Sequence, residues 1–290
     1  MMFAGCAPNG SSSGSTPNAV SLEKLNENYG RIAMGKTGDS TVDNVDWLCF
    51  AYSQDNIHWE RYNSTTTTLT KDNAKYLYFV LDTYVLGRDK YLNSSKVNTD
   101  TYKHSDSIMV NGAEVSLSDV NVNDYYYRDI RQAIRDREST LTAELNISED
   151  NPIYNAIVGR TLEDLYKNNK FTRESSNEDY VVSDMETPTV PSTDMSVADK
   201  FWLLSMDEVQ NFFDGTKKAG EYPGRRWSST NRTGYWLRSG KVNDDYRVGK
   251  VSADGGCGST NVKNSDLAPR IAFKLQIVWF CYIKLQQVEF

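Results

Sequence analysis

The sequence predicts a mixed α+β fold built from short antiparallel sheets, two or three helices and long loops. Three observations carry that expectation. Apolar residues come in short β-prone runs bounded by Gly, Ser or Pro, as at Tyr235–Leu237 and Ile271–Leu275. Two stretches change to helical spacing, one from Asp124 to Arg135 and one after Ser205. The segments between them are rich in Asn, Asp, Ser and Thr, which favour turns over regular ladders.

The 290 residues are 39% hydrophobic and 24% charged, enough apolar material for the core of an ordinary globular domain. The 18 Tyr, 10 Phe and 6 Trp suit β-rich cores and binding surfaces, because aromatic rings bring contact area with few rotors to freeze. A net charge of −7 offers no basic stripe, so nothing favours nucleic acid or an anionic membrane as partner. Cys6, Cys49, Cys257 and Cys281 form no CxxC pair, which removes zinc-ribbon spacing, and sequence does not choose a disulfide among them.

In chain order, Phe3-Ala4-Gly5-Cys6 followed by a Ser/Gly/Pro/Asn stretch reads as a lipobox-like start and flexible tether over 1–19, with Cys6 the lipidation site of a longer export signal. The domain is expected over 20–276. A short polar helix is expected from Val20 to Tyr29, then paired strands at Arg31–Gly35 and Asp46–Phe50. Ala74–Asp82 reads as a buried strand continuing to Leu86, and Thr65–Thr68 as a loop edge. Residues 93–123 suggest a hairpin turning at Asn111-Gly112. Asp124 is expected to cap a helix whose buried face carries Tyr126, Ile130, Ala133 and Ile134. Asn151–Asn169 suggests a second helix with Pro152 in its first turn. The polar insertion of about 170–199 is expected to be extended or mobile. Asp199–Leu204 then reads as a strand, and Ser205-Met206-Asp207-Glu208 as a capping box starting a helix to about Phe213. Tyr235–Leu237 and Ile271–Leu275 are expected to frame a long exposed connection, with Arg247–Val251 as its middle strand. Beyond it, 277–290 is an atypical apolar tail, too short at seven consecutive apolar residues to cross a bilayer, which takes about twenty.

Trp236-Leu237-Arg238-Ser239, the Val251-to-Gly255 pattern and Ala268-Pro269-Arg270-Ile271-Ala272-Phe273 resemble the C-terminal signature of a bacterial domain of unknown function. The strand pair near residue 32, the Asp124 helix and the capped Ser205 helix extend the resemblance over roughly 30–276. That domain is related to C-type-lectin-like and formylglycine-generating-enzyme-like folds. Some relatives are variable target proteins of diversity-generating retroelements. The resemblance implies a C-type-lectin-like core whose C-terminal connection binds ligand.

No GxSxG, HExxH or GxxxxGK[ST] occurs, so the common hydrolase, zincin and P-loop signatures are missing. Catalytic relatives of the formylglycine-generating kind use a pair of nearby cysteines, whereas Cys257 stands alone in its loop. His58 and Glu60 are read on one strand face without a third group to complete a site, and His104 as a solvated loop residue. The spacing of Asp244, Asp245, Asp254 and Asp266 does not demand calcium, which takes six to eight oxygens, and no cofactor is expected. The expected binding residues are Asn243, Asp244, Asp245, Tyr246, Asn261, Lys263, Asn264, Ser265 and Asp266, with Arg238 and Arg270 holding the frame. The expectation is non-catalytic recognition of an extracellular protein or glycan at the cell surface or in secreted form. The membrane would be met only through the N-terminal lipid. The alternatives are an enzyme or accessory domain of the formylglycine-generating type, and a structural cell-envelope module.

Overall fold

A computed structural model describes residues 20–36, 45–82, 107–110, 113–116, 124–127, 129–136, 138, 142–143, 145–148, 150–167, 171–172, 179–180, 194–214, 216–221, 223–227, 233–241, 244–261 and 266–277. Among the described residues the fold is mixed α+β, dominated by antiparallel pairing, with few helices and no barrel.

Helix α1, Leu22–Glu27, is capped by Ser21, and strand β1, Arg31–Ala33, follows it. β1 pairs with β2, Asp46–Ser53, as the sequence suggests, and β3, Glu60–Arg61, pairs with the far end of β2. β4, Tyr76–Leu81, lies next to β2, all but Tyr76 buried, and ends at Leu81. Its expected extension to Leu86 lies outside the described residues. β5, Ser107–Val110, and β6, Ala113–Ser116, form the anticipated hairpin, with Val110 opposite Ala113 across the Asn111-Gly112 positions. The rest of the 93–123 expectation lies outside the described residues, as does His104.

The Asp124 helix is divided. Asp124 accepts from the Tyr126 N–H at 3.0 Å and caps a 3-10 turn over Tyr125–Tyr127, and α2 runs Asp129–Asp136. Tyr126, Ile130 and Ile134 are buried as expected.

Asn151–Asn169 is not one helix. Asn151 caps a single turn, α3 (Pro152–Asn155), which gives way to β7 (Ile157–Val158), β8 (Arg160–Thr161) and then α4 (Leu162–Lys167). Tertiary pairing wins over helical spacing here, because β7 joins a central strand and Arg160 turns wholly inward to two carboxylates.

The polar insertion also supplies structure. β9, Phe171–Thr172, pairs with β10, Asp179–Tyr180, and β11, Ala198–Asp199, pairs with β8. Asp199 is buried, with its carboxylate 2.8 and 2.9 Å from Arg131 Nε and Nη2, so the end of the insertion is core rather than mobile. The 199–204 strand is correspondingly broken into β11 and β12, Trp202–Leu203.

Helix α5, Met206–Phe212, starts at the predicted capping box. Ser205 Oγ accepts from Glu208 N at 3.0 Å and the Glu208 carboxylate accepts from Ser205 N at 2.9 Å. The C-terminal strands are β13 (Tyr235–Lys241), β14 (Asp244–Val251), β15 (Cys257–Asn261) and β16 (Ile271–Gln276).

The expected frame needs correction. β16 is central in a seven-stranded sheet, ordered β1-β2-β4-β16-β12 with β3 and β7 attached, whereas β13 belongs to a five-stranded sheet ordered β15-β14-β13-β10-β9. Between the two strands, Tyr235 bridges Ala268, three residues before β16 begins. Alternation identified both as strands, but period 2 carries no information about partners. The connection between them is therefore largely a meander. Val248, Gly249 and Val251 are buried and β15 is half-buried.

The core between the layers is aromatic. Trp47, Phe79, Phe201 and Phe273 cluster on one face of the large sheet, with Trp47 and Phe273 rings edge-on at 4.8 Å. Its other face meets α5 through Phe50 and Trp59.

Candidate functional site

Residues expected to bind ligand divide between two ends of the small sheet. Lys241 pairs with Asp244, and Arg247 with Asn261. Asp244, Asp245 and Tyr246 therefore begin β14 at the end where β15 finishes, and Tyr180 of β10 pairs with Lys241 there too. Arg247 is exposed at this end and Asn261 is half-buried. Asp266 is exposed but precedes by two residues Ala268, whose bridge to Tyr235 marks the opposite end of the sheet. At a rise near 3.3 Å per residue, Tyr235 to Lys241 separates these ends by roughly 20 Å, so Asp266 is not brought to the others. Asn243, Lys263, Asn264 and Ser265 lie outside the described residues, as does Cys6.

The two framework arginines do not face this end. Both are fully buried. Arg238 Nη1 donates to Glu208 Oε2 at 2.6 Å and to the Leu203 carbonyl at 2.8 Å, and its Nη2 donates to Glu208 Oε1 at 2.8 Å. Arg160 Nη1 reaches Glu208 Oε1 at 2.7 Å, its Nε reaches Asp164 at 2.8 Å, and its guanidinium lies against the rings of Trp59 and Trp202 at 4.5 and 4.9 Å. Glu208 thus sits between two guanidiniums. Burial alone would raise its pKa, but Arg238 and Arg160 outweigh that and hold it down at about 2. Arg270 Nε donates to the Leu81 carbonyl at 2.9 Å and its Nη2 to Asp82 at 3.2 Å, fastening the start of β16 to the end of β4. This buried charge seam missed recognition as a unit because its members come from β8, α4, α5 and β13. The capping-box glutamate was its one visible mark.

A lysine is buried nearby. Lys274 of β16, 5% exposed, donates to Asn56 Oδ1 at 3.1 Å and lies 5.7 Å from the Tyr76 ring centroid. Asn56 Oδ1 also accepts from Tyr78 Oη at 2.9 Å. Burial, with the Arg160 charge adding to it and Asp164 opposing, lowers the Lys274 pKa to about 8.

His58 and Glu60 do not share a strand face. His58 is exposed in a bend and its Nδ1 lies 2.6 Å from Asp55 Oδ2, while Glu60 accepts from Tyr52 Oη at 2.6 Å. Burial and Glu60 together push Tyr52 up to about 12. Cys257 is half-buried on the edge strand β15, with Arg225 Nη1 3.5 Å from its sulfur, and Cys49 is buried in β2. Among the described residues neither thiol is in a disulfide. Among the described residues no group of His, Cys, Asp and Glu could hold a metal ion, and no helix is long and apolar enough to cross a membrane.

Two packed antiparallel sheets with a capped helix wedged against them define an α+β scaffold whose polar groups serve mainly to join the layers. Residues 164–277, less than half of the chain, match the family model described as Domain of unknown function (DUF6273). The match begins in α4 and runs through β16, so it takes in α5, the small sheet and every member of the charge seam but Arg160. No curated protein and no solved structure matches.

Proposed function

We propose that the protein is a non-catalytic recognition module with a C-type-lectin-like core, at the cell surface or secreted, that binds an extracellular protein or glycan through the 240–268 region. Kinship with the variable target proteins of retroelements and anchoring through a lipid on Cys6 belong to the same proposal. The observation that carries it is the register of the small sheet. Lys241 opposite Asp244, and Arg247 opposite Asn261, bring two chain segments of mixed hydrogen-bonding residues to one rim on a rigid support. Backbone pairing fixes that rim without loop-ordering cost on binding.

An enzyme of the formylglycine-generating kind calls for a reactive thiol in a deep pocket, and Cys257 sits half-buried on an edge strand instead. A purely structural module predicts a connection packed down throughout. The buried middle of β14 agrees with that, and the exposed Arg247 at the rim favours recognition.

The test is a glycan and protein array probed with the full chain and with a variant carrying alanine at 243–246 and 261–266. Signal on a defined class of glycan or protein that the variant loses supports the reading. Equal signal from both proteins, or none from either, refutes it.

A further inference from the structure

A cleft of about 320 Å³ opens elsewhere on the molecule, lined by residues of five separated segments: Tyr29, Leu48–Phe50, Arg61–Ser64, Phe212–Asp214 and Gly224. It is built by three local irregularities rather than left over from packing.

The first is at the end of α1. Tyr29 N–H donates to the Asn26 carbonyl and Gly30 N–H to the Leu25 carbonyl at 2.9 Å, the paired bonds of a Schellman termination. The left-handed position of that motif is normally glycine, yet Tyr29 occupies it at φ +53° while its side chain stays 67% exposed. An L side chain in this conformation is costly, and an exposed ring recovers little through packing. Such strain is a recognised mark of function. Gly30 follows at φ +78°, and a Cβ there would lie 2.3 Å from the Tyr62 ring, so the Tyr29 backbone is clamped onto a cleft wall. The second irregularity is a bulge in β2 between Cys49 and Ala51, which adds Phe50 to the strand and stacks its ring on Phe213 at 5.3 Å. The third is the contact of Gly224 with Asp214. A Cβ on Gly224 would lie 2.7 Å from the Asp214 carbonyl oxygen, so only glycine lets these two segments close the cleft.

The lining divides by chemistry. Phe50, Phe212, Phe213 and Tyr62 make an aromatic wall, with Tyr29 exposed at the lip. Arg61, Asn63, Ser64 and Asp214 provide polar groups of both charges. Arg61 is exposed, its backbone pairs with Ala51, and, behind the Thr216 hydrogen bonds, its charge is among those that lower the Asp214 pKa. Asp214 is oriented by the Thr216 N–H, 2.9 Å from its Oδ1. Tyr62, also in the wall, has a buried hydroxyl without a hydrogen-bond partner among the described residues.

From this arrangement we propose that the cleft is a binding site for a single neutral pyranose sugar unit. A pyranose has an apolar C–H face that an aromatic ring attracts, and a rim of hydroxyls that both donate and accept. A carboxylate, a guanidinium and an amide around one aromatic wall match that pair of properties. A volume near the small end of ligand pockets, about 300–1,000 Å³, suits one ring rather than a macromolecular segment. Tyr29 is the specificity platform, and Arg61 and Asp214 orient the hydroxyls. The site is separate from the small-sheet rim and does not depend on it.

The test is an amide-resolved NMR titration of the full chain with the methyl glycosides of glucose, galactose and mannose and with N-acetylglucosamine. At least one should give saturable shifts at residues of the cleft segments. Arg61→Ala and Asp214→Ala, both substitutions at the accessible rim, should each weaken binding about tenfold, the worth of one lost charged hydrogen bond. Tyr29→Gly should weaken it several-fold while raising the melting temperature, a combination that a merely structural tyrosine would not show. Alanine at Asp244–Tyr246 should leave the titration unchanged. Absence of saturable shifts with all four sugars, shifts confined to other surfaces, or undiminished binding by the Arg61 and Asp214 variants would overturn the assignment.

Discussion

Replacing Glu208 by glutamine keeps its size and removes one charge, and the buried seam lets the consequence be worked out. Four hydrogen bonds converge on the carboxylate, two from Arg238, one from Arg160 and one from the Ser205 backbone. The amide would turn an NH2 group toward guanidinium N–H groups, leaving Arg160 with the Asp164 carboxylate and Arg238 with the Leu165 and Leu203 carbonyls. Removing one member of a buried ion pair costs about 3–5 kcal/mol. The pKa leads to the same size. A carboxyl that titrates near 2 rather than 4.5 holds its charge about 3 kcal/mol more firmly in the fold. Because its pKa is lowered on folding, that contribution is whole above about pH 4.5 and disappears as pH falls through about 2. Urea unfolding followed by tryptophan fluorescence should therefore show Glu208→Gln less stable by about 3 kcal/mol near neutrality. That gap should narrow as pH falls below about 4.5, where the unfolded wild type takes up a proton, and close near pH 2, where the folded carboxylate takes one too. A gap under about 1 kcal/mol at neutrality, or one that does not shrink in acid, would refute the view that this glutamate joins the two layers.

The remaining predictions concern single residues. Lys274→Met should stabilise the protein by about 1–2 kcal/mol near pH 7. Burial penalises its ammonium, the penalty is full below the folded pKa of about 8 and vanishes as pH rises through 10.5, so the advantage in urea melts should fade toward that pH. Ser205→Ala removes the acceptor of the Glu208 N–H and should cost about 1 kcal/mol in the same assay. Tyr29→Gly relieves a left-handed tyrosine and should gain up to about 1 kcal/mol, where Tyr29→Ala gains nothing. Gly224→Ala forces a Cβ to within 2.3 Å of Asp214 Cβ and should cost about 1–3 kcal/mol, read as a lower urea midpoint.

What was legible in the sequence was local. The Ser205–Glu208 capping box, the Asn111-Gly112 hairpin and the strands at Asp46 and Tyr76 each depend on neighbours within a few residues, and each is found where expected. The Asn151–Asn169 helix failed because apolar spacing does not reveal that Arg160 will turn inward to Glu208, 48 residues later. Joining Tyr235–Leu237 and Ile271–Leu275 in one frame failed for a related reason. Both alternate and both are buried, and only the identity of their neighbours separates them into two sheets. For the rim, half was legible, since the Lys241–Asp244 and Arg247–Asn261 registers unite residues picked for their chemistry while Asp266 falls away. None of the cleft was legible, because its five segments are scattered from Tyr29 to Gly224. Its single sequence trace is a Tyr-Gly pair following a helix, with tyrosine where the stop favours glycine.

The position of β16 has a bearing on how the chain acquires its shape. This strand fills the gap between β4 and β12 and also carries β7, while Arg270 at its start reaches back 189 residues to the Leu81 carbonyl. During synthesis the earlier strands therefore wait with an open slot, and the large sheet closes only after residue 276 has left the ribosome. Contacts so distant along the chain slow folding, since the loop entropy is lost before the pairing is gained. Until β16 arrives the chain exposes an unpaired β4 edge that chaperones would have to shield.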